Sequence, residues 1–359
     1  MQVPLFATSL EPYRGRIVER IAEVVASGRY ILGPEVEAFE HEFADYLGAE
    51  HVVGVANGTD ALTIALRALG VGPGHEVICP SLTFYATAEA IVNAGATPVF
   101  CDVDPDTFCM TAESARRLLG ARTKALVPVH LFGNVAPVVE LRELGLPVVE
   151  DAAQAAGATL DGRRAGALGD LATFSFFPSK NLPCLGDGGA VVTSDGELAE
   201  RARTLRFHGS KDKLHHTEVG YNSRLDELQA AVLRVLLPEL DGWTEARRRV
   251  AAQYARGGLG EHVRLPRPTE GAEHAYHLYV VRAGEPDELA VRLAESGVAA
   301  RGYYRTPVHR QPGTARYASA ELPVTDELAA GILALPMGPT LTSEQIEMVI
   351  RACRSRVSA

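Results

Sequence analysis

From His51 onward the chain repeats one pattern: a short apolar run, a polar turn, then an amphipathic stretch. The apolar runs stand at 51–56, 76–80, 97–103, 124–129, 146–151, 172–176 and 189–194. They are too short for buried helices, and most are rich in valine, which suits a pleated sheet. Helical periodicity fills the gaps at 59–69, 83–94, 111–120, 135–144 and 195–205. Strands joined through helices run parallel to their neighbours and are covered on both faces. The expected fold is therefore α/β, with a mostly parallel seven-stranded sheet between helices, preceded by helical patterns at 11–27 and 35–47. After about Arg224 the pattern changes to one long helix, the strand HLYVVRA, the helix DELAVRLAESG and two closing helices near 324–333 and 342–355. This divides the chain into a large α/β domain over 1–238 and a smaller C-terminal α+β domain over 239–359.

Charge and cysteine usage remove several function classes. The net charge is -10 and no basic run occurs, which argues against nucleic acid as the main partner. The 5 cysteines include no CxxC pair, so neither a disulfide framework nor a zinc site is signalled, and no metal is expected. The N-terminus lacks the apolar core of a signal peptide, and no segment approaches a membrane span, so a cytoplasmic location is expected. Nearly all basic residues are arginine, the only lysines being Lys124, Lys180, Lys211 and Lys213.

Ligands of open α/β sheets bind beyond the carboxyl ends of strands, and three such ends carry unusual polar residues. In ANGTDAL, Gly58 lets another group approach the backbone closely and Thr59 can cap the following helix. Free N–H groups at a positive helix end make a phosphate cradle, although an ordinary capped turn reads the same way. In EDAAQ, Asp151 ends an apolar run; it can bind a ribose, hold a metal, pair with a protonated ring nitrogen, or merely cap a helix. Lys180 follows two aromatics and a proline in FSFFPSKN. Burial there would disfavour its ammonium form, as a Schiff-base nucleophile requires, unless it is simply a surface lysine on a loop. A lysine, an acid and a phosphate cradle at neighbouring strand ends are the parts that pyridoxal 5'-phosphate requires.

The chain resembles the DegT/DnrJ/StrS-type aminotransferases of fold type I. The resemblance rests on GRYILGPEVEAFEHEFADYLGA, VANGTDAL, PSLTFYATAEAI, VVEDAAQAAGA, FSFFPSKNLPCLGDGGAVVT and GYNSRLDELQAAVL, and covers nearly the whole length. It implies that Lys180 carries the cofactor and later moves protons, that Asp151 keeps the pyridine nitrogen protonated, and that Gln154 bonds the phenolic oxygen. Phe84 takes the family's stacking position over the ring, a core aromatic being the rival reading. Gly58, Thr59 and Ser175 would donate to the phosphate. Asn222 would reach in from the neighbouring subunit, which implies a homodimer with shared active sites.

The family's known members mostly aminate nucleotide-linked keto hexoses. The implied activity is therefore ping-pong transfer of an amino group from a donor such as L-glutamate to a nucleotide-linked deoxyhexose. The match loosens at ARGYYRTPVHRQP, where Tyr304, Arg305 and His309 either line an acceptor pocket or pack a domain interface. Arg224 is a candidate for a donor carboxylate, or pairs with Asp226 or Glu227. Two other readings stand beside the sugar: a transaminase of small amines, amino acids and keto compounds, and a non-catalytic cofactor-binding regulator.

Overall fold

The computed structural model describes residues 2–318 and 320–354. Two amphipathic helices, α1 (Arg14–Ser27) and α2 (Pro34–Leu47), open the chain, each ended by a glycine in the left-handed conformation. Then follow β1 (His51–Val55), α3 (Gly58–Ala68), β2 (Glu76–Pro80), α4 (Ala86–Asn93), β3 (Thr97–Cys101), α5 (Ala112–Arg116), β4 (Thr123–Leu126), α6 (Val138–Arg142) and β5 (Val149–Asp151). A short hairpin of β6 (Thr159–Leu160) and β7 (Arg163–Arg164) precedes β8 (Leu171–Ser175), β9 (Gly189–Thr193) and α7 (Gly196–Arg206).

Four strands pair in the order β1-β9-β8-β5 and three in the order β3-β2-β4. Parallel bridges Leu126 to Val148 and Val129 to Asp151 join β4 to β5, so the two ladders continue as one sheet. Within it only β9 runs against its neighbours. The mostly parallel seven-stranded sheet expected from the sequence is what forms.

The rest of the chain holds α8 (Glu227–Leu236), α9 (Leu240–Arg256), β10 (Ala272–Glu273), β11 (Tyr279–Arg282), α10 (Pro286–Glu295), α11 (Pro323–Gly331), β12 (Ile332–Leu335) and α12 (Ser343–Arg354). The single long helix read from the sequence is two: a 3-10 turn at Leu237–Glu239 separates α8 from α9. Pro238 accounts for the break, because its ring clashes with the preceding turn and it offers no N–H. The helix expected near 324–333 is shorter, and its last apolar residues form β12, which pairs antiparallel with β11. The C-terminal elements have their own core around Tyr254, Leu293 and Val349, which also takes in Val3 from the other end of the chain.

Candidate active site

Residues from the carboxyl ends of β1, β5 and β8 meet in one cavity of about 600 Å³. Lys180, Asp151, Gln154, Gly58, Thr59, Phe84 and Ser175 all line it, although they come from four separate stretches of sequence. Asn222 does not: it is exposed and accepts a hydrogen bond from Arg224.

The phosphate cradle begins at the first turn of α3. Asn57, extended at φ -165°, caps that helix by accepting from Asp60 N at 2.8 Å; Thr59, expected as the cap, lies inside the first turn. The N–H groups of Gly58 and Thr59 consequently have no upstream carbonyl to bond. A Cβ at Gly58 would stand 2.8 Å from the Ser175 Cβ. Glycine is what lets the two strand ends close on each other.

Asp151 is 6 % exposed and held from two sides. The Thr87 hydroxyl donates to Oδ2 at 2.8 Å and Ala153 N to Oδ1 at 3.3 Å. Burial raises its pKa, with these hydrogen bonds and the Lys180 charge opposing. Thr87 is itself tied at 2.9 Å to Thr83, in the loop that leads into α4. Beside it, Glu150 faces the opposite side of the strand, accepting from Gly166 N, Leu168 N and Gly169 N and paired with His130 Nε2 at 2.7 Å. The sequence singled out neither Thr87 nor the His130–Glu150 pair.

Lys180 sits in the turn after β8, its backbone N–H bonded to the Phe177 carbonyl at 2.8 Å. Its amine makes no hydrogen bond or ion pair among the described residues. Burial pushes its pKa down to about 8, and the Asp151 charge only partly restores it. Gln154 is fixed at both ends of its amide: Oε1 accepts from Phe132 N at 2.7 Å and Nε2 donates to the Tyr304 hydroxyl at 3.1 Å. Phe84 is 55 % exposed and turned toward the cavity wall, its ring centroid 6.0 Å from that of Tyr304. An aromatic so exposed is not a core residue.

The residues left open by the sequence separate here. Tyr304 lines the cavity. Arg305 is occupied with Asp287 Oδ1 at 2.8 Å and the Ala330 carbonyl at 2.6 Å. His309 lies away from the cavity, its Nδ1 2.6 Å from the Ser81 hydroxyl and its Nε2 3.5 Å from Asp326 Oδ1. Arg224 pairs with neither Asp226 nor Glu227, since the Glu227 carboxylate instead takes the N–H groups of Gly33, Glu35 and Val36.

A half-buried, unbonded lysine beside a buried carboxylate, with a glycine-closed helix end nearby, fits a phosphorylated pyridine aldehyde. Bound here, such a group would have its aldehyde within the lysine's reach, its ring nitrogen for the acid and its phosphate for the helix end. This defines a pyridoxal 5'-phosphate-dependent aminotransferase of fold type I. The chain belongs to the DegT/DnrJ/EryC1/StrS aminotransferase family, whose profile matches residues 13–354. It is 47% identical over 351 residues to a dTDP-3-amino-3,4,6-trideoxy-alpha-D-glucose transaminase of Streptomyces venezuelae, spanning 96% of this chain and 93% of that protein. It is 46% identical over 361 residues to a pleiotropic regulatory protein of Geobacillus stearothermophilus, spanning 98% and 97%. The crystal structure of S. venezuelae DesV with a ketimine intermediate superposes with TM-score 0.95 at 46% identity, covering 98% of both chains. That of ntda from Bacillus subtilis with bound cofactor PMP gives TM-score 0.91 at 30% identity over 98% of this chain and 84% of that one.

Proposed function

We propose that the enzyme moves an amino group from an amino-acid donor, L-glutamate, to the keto carbon of a nucleotide-linked deoxyhexose. The observation that carries this reading is the convergence of Lys180, Asp151 and the Gly58–Thr59 helix end on one cavity. Relatives named for dTDP- and UDP-linked amino sugars, at 47% and 44% identity, favour the sugar over small amines as acceptor. When bound, the cofactor draws into its ring the electron pair left on the carbon that loses a proton.

Lys180 is the residue that carries the cofactor, and its amine, once released, takes that proton and returns it one carbon away. An amine with pKa near about 8 can do both close to neutrality. Asp151 holds a proton on the pyridine nitrogen, with Thr87 keeping the carboxylate aimed. Gly58 and Thr59 donate backbone N–H groups, and Ser175 its hydroxyl, to the phosphate. Gln154, pinned by Phe132 and Tyr304, has one N–H left for the ring oxygen. Phe84 covers one face of the ring.

Asn222 completes the phosphate site from a second copy of the chain, so the working unit is a homodimer. Its exposure, and that of Leu214 at 79% and Val219 at 83% in the same loop, supports an interface there. The division at 238/239, between α8 and α9, marks the large and small domains. Five unpaired, buried cysteines support a reducing, cytoplasmic setting. The test is a panel of dTDP- and UDP-linked 3-keto and 4-keto sugars with L-glutamate, read by mass spectrometry. An aminated sugar supports the reading, and reaction with small keto compounds alone would sink it. The name of the regulatory relative favours a second reading, in which the cofactor is bound without turnover; bound cofactor that no amine discharges would select it.

A further inference from the structure

His277 stands in no motif that drew attention to the site, yet it lines the cavity with Lys180. The residue is 4% exposed, and its Nδ1 is buried without a hydrogen-bond partner. Nε2 is not among the enclosed atoms and bonds no other described residue, so that edge of the ring meets the cavity.

A second orphaned atom is Nε of Arg247 on α9. Arg247 is 2% exposed, and its other nitrogens donate to the Tyr276 carbonyl and to Thr8 Oγ1, both at 3.2 Å. Tyr276 precedes His277, so guanidinium and imidazole attach to one stretch of backbone. The charges acting on His277 are those of Lys180 and Arg247, both cations. Burial first, and then these charges, hold its pKa far below the ordinary value, and the ring stays neutral.

A neutral imidazole has one N–H and one lone pair. Arg247 Nε can only donate, so a buried water that accepts from it and donates to Nδ1 would satisfy both orphans and place the lone pair on Nδ1. The proton then resides on Nε2, facing the cavity.

We propose that His277 binds the carboxylate of the amino-acid donor through Nε2–H, as a neutral, tautomer-locked hydrogen-bond donor; the assignment rests on the aminotransferase reading. The donor must bring its amine to where the Lys180 amine stands, and the carboxylate is on the same carbon. Apart from Lys180, His277 and the phenols Tyr303 and Tyr304, the titratable side chains lining the cavity are the acids Asp60, Glu89, Asp151 and Asp187. The acids repel a carboxylate, an N–H donor beside Lys180 offsets them, and a neutral one does not depress the lysine further.

Histidine-selective ¹⁵N labelling of the cofactor-loaded enzyme reads the tautomer, with His277→Gln assigning the signal. The expected spectrum has a protonated Nε2 and a bare Nδ1, unchanged between about pH 5.5 and 8.5. The Nε2 signal moves on adding α-methyl-L-glutamate, which has no α-proton to lose. In the donor half-reaction, His277→Phe raises the glutamate concentration for half-maximal rate about tenfold or more, with the absorbance of the loaded cofactor unchanged. His277→Gln, whose amide N–H reaches a similar place, recovers most of that loss. A proton on Nδ1, a titration near the usual histidine value, or a phenylalanine variant with unaltered half-saturation would overturn the proposal. Failure of the sugar reading is separate, because it leaves the keto sugars unreacted while the tautomer and the donor effect stand.

Discussion

A lysine ammonium removed from water loses more solvation than one carboxylate across a cavity restores, and Lys180 shows the balance. With its pKa at about 8, roughly half of the amine is neutral at pH 8, against well under about 1% for a lysine at 10.5. Only the neutral amine attacks the cofactor's aldehyde. The rate of cofactor capture by the apoenzyme should therefore rise with pH, pass half-maximum near about 8 and level off above it. A rate still climbing at pH 10 would mean that burial does not tune this amine. Lys180→Ala should abolish turnover while retaining cofactor without the lysine-linked yellow absorbance. Asp151→Asn removes the group proposed to keep the ring nitrogen protonated and should slow the donor half-reaction by about a hundredfold, measured by stopped-flow absorbance; an intact rate would refute the role given to Asp151.

Elements matter here through how closely their ends approach. Gly58→Ala would push a methyl group against Ser175, at 2.8 Å from its Cβ, and open the phosphate cradle. Cofactor retention should weaken by roughly tenfold, about 1.4 kcal/mol, by equilibrium dialysis. Glu150→Gln should destabilise the fold by roughly 3 kcal/mol in chemical denaturation, since an amide would face three backbone N–H groups and His130. The strand positions were legible in the sequence because each apolar run ends where its polar turn begins, as at Val55 before Asn57 or Asp151 before Gln154. What was not legible depends on contacts between distant segments. Pro238 splitting a helix is a local sign that the strong periodicity on either side outweighed. β12 was hidden in a helical pattern because ILAL suits either state, and its pairing with β11 decides. Thr87 was findable from its spacing of four from Thr83, and His277 as the polar residue before an apolar strand; neither spacing says that a cavity lies there.

At the scale of the molecule, the cavity sits where the large sheet meets the C-terminal elements: Leu82, Val129 and Phe132 pack in one cluster with Leu278, Val280 and Ile332. The residues assigned to the cofactor come from the sheet side, and Tyr304 and His277 from the other. The resemblance read from the sequence is closest for the first group and loosest around Tyr304. If Asn222 serves a neighbouring copy, Asn222→Ala should release cofactor faster while light scattering still reports a dimer. A fully active monomer would contradict that assignment. The central claim, that the cavity around Lys180 exchanges an amine with its cofactor, is tested most directly by adding L-glutamate alone to the loaded enzyme. The account predicts that the yellow absorbance bleaches and one 2-oxoglutarate forms per site; a loaded enzyme that keeps its colour with glutamate and every other amine would contradict it.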